Sequence, residues 1–104
     1  MIKVSVFYPN TEGSRFDSDY YKTKHIGLLK EKVGTAIKGI TVDYGLSGGA
    51  PNSKPPFHAV INILLDSLES FSESFVPHVP ILLADVPNYY DTEPIVQISE
   101  VKEF

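Results

Sequence analysis

The segment Phe57–Leu65 constrains this chain most. Read as a strand, it sets Phe57, Ala59, Ile61, Ile63 and Leu65 on one face and Val60 and Leu64 on the other, with only His58 and Asn62 polar. Side chains alternate faces along a strand, so a segment apolar on both is expected inside a sheet with matter packed against each side. Period-2 alternation marks three more strands: Ile2, Val4, Val6 and Tyr8 against Lys3, Ser5 and Phe7; residues 37–46, with Ile40, Val42, Tyr44 and Leu46 on one face; and residues 95–101, with Ile95 and Val101 opposite Val96 and Ile98.

Two helices fill the gaps. The first is expected to open at Asp17, whose carboxylate can accept first-turn amides, and to stop by Gly34. At about 100° per residue, Tyr21, His25, Ile26, Leu28, Leu29 and Val33 share one arc, which Asp19, Thr23, Lys30 and Glu31 avoid. The second opens at Asp66-Ser67-Leu68-Glu69, which resembles a capping box, and buries Leu68, Phe71 and Phe75. Pro77 and Pro80 are expected to break or kink it, leaving residues 81–86 as a short second segment.

The order β-α-β-β-α-β is ferredoxin-like, an α+β fold in which both helices cover one face of a four-stranded antiparallel sheet. The 104 residues suffice for one domain, residues 1–104. Because the strands read as apolar on both faces and two helices cover only one, a second copy of the chain is expected on the other, making a homodimer through the sheet face.

Composition narrows the partners. With 42% hydrophobic and 21% charged residues the chain reads as globular rather than disordered. Thirteen acidic residues against nine basic ones, with Arg15 the sole arginine, argue against nucleic acid and against a phosphate clamp. No apolar run nears the roughly 20 residues that span a bilayer, so no membrane partner is expected. The first residues read as a strand rather than a secretory signal, so a cytoplasmic location is expected. The absence of cysteine excludes disulfides, thiolate zinc sites and a cysteine nucleophile. No glycine-rich phosphate loop joins a strand to a helix, so no cofactor is expected from a local motif.

Few residues carry candidate chemistry. Gly45-Leu46-Ser47-Gly48-Gly49 matches G-x-S-x-G, but a proline-rich loop follows where a nucleophile elbow needs a helix. His25, His58 and His78 show no metal-ligand spacing, so no metal is expected. His58 reads as a surface or edge residue, and His78, between Pro77 and Pro80, either fixes a helix bend or lines a cavity. His25 is either a core histidine bonded to backbone or, with Tyr21 one turn earlier, an imidazole and phenol facing a small-molecule pocket. An imidazole with an ordinary pKa near 6.5 can move a proton at neutral pH, so His25 is the candidate catalytic residue. Asn88-Tyr89-Tyr90-Asp91 is either a turn with tyrosines at its rim or the entrance of that pocket, which places Tyr21, His78, Asn88 and Tyr89 as candidate substrate-binding residues.

Two segments in particular carry a resemblance. Asp17-Ser18-Asp19-Tyr20-Tyr21-Lys22-Thr23-Lys24-His25 reads D-x-D-Y-Y-x-x-K-H, and Pro87-Asn88-Tyr89-Tyr90-Asp91-Thr92-Glu93-Pro94 reads P-N-Y-x-D-x-E-P. Together with residues 4–9 and 45–51 they resemble the EthD family, named after a component of bacterial ethyl tert-butyl ether degradation. The resemblance implies a dimeric α+β barrel, in which the sheets of two ferredoxin-like subunits meet. The wider superfamily includes cofactor-independent monooxygenases, lactone isomerases and haem peroxidases, so architecture does not choose a reaction. The family's shared histidine matches His25, with Tyr21 and Lys24 in the same element, while Gly27 stands where many relatives have proline. The resulting expectation is a protein that binds a small hydrophobic or aromatic oxygenated metabolite, using His25 for isomerisation, elimination or cofactor-free oxygenation. The alternative is a non-catalytic carrier or an accessory to a separate oxidoreductase.

Overall fold

The computed structural model describes residues 1–104. Strands β1 (Ile2–Pro9), β2 (Gly39–Tyr44), β3 (Phe57–Leu65) and β4 (Ile95–Glu100) form one antiparallel sheet in the order β2-β3-β1-β4. This is the ferredoxin-like arrangement that the alternation predicts. Register places Val4 between Ile63 and Ile98, and Val6 between Ile61 and Val96, on the face that the helices cover. Val4, Ile61, Ile63 and Leu65 are buried there, which is why the centre of the sheet reads as uninterrupted aliphatic sequence.

The first helix opens where Asp17 accepts a hydrogen bond from the Tyr20 amide at 3.1 Å, satisfying one of the free donors of the first turn. It runs through α1 (Ser18–Tyr20), a π turn over Tyr21–His25 and α2 (Ile26–Val33), and ends at Gly34, whose φ of 69° suits glycine. Tyr21, His25, Leu29 and Val33 are all buried at four-residue intervals. In a regular α-helix each such step overshoots a full turn by about 40°. The wider π turn absorbs that drift between Tyr21 and His25 and keeps both rings on the inner face.

The second helix repeats this plan. Ser67, one residue later than expected, caps it by accepting from the Ser70 amide at 3.1 Å. It continues through α3 (Leu68–Ser70), a π turn over Phe71–Phe75, a 3₁₀ turn over Val76–His78 and α4 (Val79–Asp85), and closes in a 3₁₀ turn over Val86–Asn88. Pro77, Pro80 and Pro87 each stand at the start of a new helical segment, where a missing amide hydrogen costs nothing. Phe75 is buried as expected, whereas Leu68 is exposed.

Two further expectations need correction. The second strand stops at Tyr44, and Leu46 projects into solvent at 93% exposure. Gly45 lies so close to the Phe57 carbonyl and the Pro55 ring that any side chain there would collide with them, and this packing accounts for the glycine that mimicked a nucleophile elbow. Ser47 sits in the following coil with its hydroxyl donating to the Gly48 carbonyl. The uncovered sheet face is also mixed rather than apolar. Thr41, Asn62, Ser5 and Gln97 run across it in register, flanked on one side by Asp43, Val60, Phe7 and Ile95 and on the other by Leu64, Lys3 and Ser99. One chain therefore forms an open sheet and not a closed barrel. No helix is long and apolar enough to cross a membrane.

Candidate functional site

A cavity of about 330 Å³ lies between the sheet and the helices. Val4, Val6, Ile61 and Ile63 form its floor, and both π turns form its wall, since the first and last residue of each, Tyr21 and His25, Phe71 and Phe75, line it. No Lys, Arg, Asp or Glu is among the lining residues. Its polar groups are the His25 imidazole and the hydroxyls of Tyr8, Tyr21 and Tyr89. Leu83 and Val96, both about half exposed, mark where it opens.

His25 is 7% exposed and is not bonded to backbone; its Nδ1 lies 2.9 Å from Asp85 Oδ2. Asp85, at the end of α4, also accepts from the Tyr20 hydroxyl at 2.7 Å and from the Asn88 amide at 2.9 Å, both through Oδ1. On the cavity side His25 Nε2 lies 3.3 Å from the Tyr89 hydroxyl, which lies 2.8 Å from the Tyr8 hydroxyl. Aromatic packing fixes these rings: His25 stacks on Tyr21 with centroids 5.3 Å apart and meets Tyr89 at 4.6 Å. Tyr89 is in turn held by its backbone, whose carbonyl accepts from the Asp17 amide at 2.8 Å, and by the neighbouring bridge between Phe16 and Tyr90. The two segments that carry the sequence resemblance are thus stitched together at the site.

The electrostatics decide which atoms carry protons. Burial raises the Asp85 carboxyl, but hydrogen bonds from Asn88, His25 and Tyr20 outweigh it and leave the pKa below its ordinary 3.8. Burial lowers the His25 pKa below 6.5 and outweighs the opposing pull of Asp85. At neutral pH the pair is therefore a carboxylate and a neutral imidazole. Facing the carboxylate, Nδ1 keeps its hydrogen, so Nε2 is an acceptor. Tyr89 must then donate to Nε2, and Tyr8 must donate to Tyr89, which makes every hydrogen bond in the chain point toward Asp85. Burial raises the phenol pKa of Tyr8, Tyr21 and Tyr89, so all three remain neutral. The Tyr21 hydroxyl is the one buried side-chain polar atom without a hydrogen-bond partner.

The structure brings Tyr21, His25 and Tyr89 together. Asn88 is exposed and reaches the site only through Asp85. His78, half-buried in the second helix, lies outside the cavity lining. His58 is on β3 with its Nε2 2.8 Å from the Ser14 hydroxyl, in a separate surface cleft. No three His, Cys, Asp or Glu side chains are grouped to hold a metal ion. Sequence reasoning missed Asp85, Tyr8 and Tyr20. For Asp85 a signal existed: a carboxylate in the last turn of a helix opposes the helix dipole and needs another reason to be there.

Comparison with known proteins supplies the context. No family model matches the chain, and no curated protein matches it. Among solved structures, an EthD-like protein from Ralstonia eutropha JMP134 is 42% identical, with a TM-score of 0.88 over 95% of this chain and 89% of that one. An EthD-family protein from Bacillus halodurans C-125 is 17% identical, with a TM-score of 0.73 over 98% of this chain and 99% of that one, and bears on the fold alone.

Proposed function

This chain belongs to the EthD family, and from that premise and the cavity we propose that it binds a small, neutral, hydrophobic molecule bearing oxygen and moves a proton on it with His25. The observation that carries this reading is the Asp85–His25–Tyr89 chain, which ends in a cavity with no charged lining residue. An ionic ligand would lose its hydration without gaining a counter-charge there, whereas an apolar one loses little. At the roughly 30 Å³ that liquid packing gives a water-sized group, the volume suits a ligand of about ten non-hydrogen atoms. Neutral at pH 7 and oriented through Nδ1, His25 is prepared to act first as a base and then, once protonated, as an acid. Asp85 orients the ring and offsets the charge on the imidazolium, and Tyr20 and Asn88 hold Asp85.

The test is a screen of phenolic and carbonyl-containing compounds for binding and turnover, repeated with His25→Ala. Wild type is expected to bind members of this class, and the variant to lose turnover by about 10²–10⁴-fold, the usual contribution of a positioned acid or base. Unchanged binding and turnover in His25→Ala would remove the proposed role. Binding by wild type without turnover of any compound would favour a carrier. A homodimer through the open sheet face belongs to the same proposal, supported by Phe7, Val60, Leu64 and Ile95 on that face.

A further inference from the structure

The hydrogen-bond chain leaves two capacities unused at its inner end. Tyr8 donates its proton to Tyr89, so its oxygen retains only acceptor capacity toward the cavity. Tyr21 lines the same cavity with a wholly buried hydroxyl that has no partner. The rings of Tyr8 and Tyr21 meet edge-on with centroids 5.5 Å apart, and their hydroxyls are close enough for each to alter the other's pKa without completing a well-formed hydrogen bond, so acceptor and donor lie beside one another. A buried hydroxyl without a partner is costly, and a site carrying one discriminates for whatever supplies the missing bond.

Resting on the proposal that the cavity binds an oxygen-bearing apolar molecule, we infer that the group it selects is a hydroxyl, in a phenol, enol or compact alcohol, rather than an ether or ketone. Only a hydroxyl can accept from Tyr21 and donate to Tyr8 at once; an ether or ketone oxygen can only accept. Seated this way, the ligand becomes the first donor of a chain that ends at Asp85. Its proton can pass to Tyr8 as the Tyr8 proton passes to Tyr89 and the Tyr89 proton to His25 Nε2. The balance is one oxyanion on the ligand and one imidazolium at His25, with both tyrosines neutral before and after. Tyr8 and Tyr21 are then the residues that determine specificity.

The probes are β-naphthol, its methyl ether and naphthalene, titrated calorimetrically into the wild type, Tyr21→Phe and Tyr8→Phe. Wild type is expected to prefer the naphthol over the ether by about ten- to a hundredfold, the discrimination that one unmatched buried polar group supplies. Tyr21→Phe deletes a hydroxyl that completes no well-formed hydrogen bond and touches only the Tyr8 hydroxyl, so the fold is retained, and the preference should shrink to within about threefold while naphthalene binds as before. Tyr8→Phe should lose the preference as well. Equal affinity of the wild type for naphthol and ether would overturn the inference and leave the cavity reading standing, as would a preference undiminished in Tyr21→Phe. If none of the three compounds binds, the cavity reading falls and the inference falls with it.

Discussion

The proton affinity of His25 is set by two opposing neighbours, the apolar cavity that disfavours its charge and the carboxylate that favours it. Burial wins, and the pKa lies below 6.5. In the pH interval between the folded and unfolded values the unfolded chain binds more protons, so the folded state loses stability as the pH falls from 6.5 toward the folded value. Asp85, held below 3.8, acts in a second window: the stability it contributes is present above 3.8 and is lost as the pH falls through its folded pKa. Asp85→Asn removes the side chain that holds the His25 pKa up. The imidazole C–H resonances of His25, followed by NMR, should therefore titrate below 6.5 in the wild type and lower still in Asp85→Asn. An unchanged or higher midpoint in the variant would show that the carboxylate does not act on the ring as the geometry requires. The base would be neutral over a wider pH range in the variant but held less firmly, so any turnover should fall without a matching loss of binding.

At the level of elements, the two π turns are the means by which helices with ordinary apolar spacing present paired aromatic rings to one cavity. Gly27 follows the first π turn by two residues, on the exposed side of α2, where an added Cβ would meet nothing within 4 Å. Glycine in a helix interior costs about 0.5–1 kcal/mol relative to alanine. Gly27→Ala should thus stabilise the protein by that amount and raise Tm by about 2–8 °C, with ligand binding unchanged; thermal unfolding checks it, and a lower Tm would mean that the helix is not regular there. The strands were legible because period-2 alternation is written in residue types, and Asp17 and Gly34 announced the first helix through cap chemistry. The π turns were not legible, since residues 21–25 and 71–75 have no composition that distinguishes a wide turn from a regular one. Asp85 was only half legible: its place in a last helical turn, against the dipole, marks it as unusual, but its partner lies 60 residues away in sequence and nothing local names it. Tyr21 and His25 were found together because four-residue neighbours share a face under either helical geometry.

Taken whole, the molecule is a slab of 41 × 37 × 19 Å, the thickness of one helix layer on one sheet. Its radius of gyration, 14.1 Å, exceeds the roughly 13 Å of a compact domain of about 100 residues, as expected of a flat two-layer shape. The polar row Thr41, Asn62, Ser5 and Gln97 makes that face less apolar than the strands suggest, yet Asn62 already donates to Thr41 and Asp43, so part of the row is satisfied before any partner arrives. A second copy would cover Phe7, Val60, Leu64 and Ile95 provided that Lys3 and Asp43, on the same face, stay paired or at the rim. Light scattering at micromolar concentration should accordingly give twice the 11.5 kDa of one chain. Val60 lies between Phe7 and Asp43 in register, and Val60→Lys would place an ammonium in the interface while leaving it a carboxylate partner in the isolated subunit. The variant should be a folded monomer by light scattering and circular dichroism. Because the cavity lies on the opposite side of the sheet, within one chain, that monomer should still bind β-naphthol. A variant that remains a dimer would place the interface elsewhere. One that becomes a monomer and loses the ligand would show that the cavity depends on the second copy.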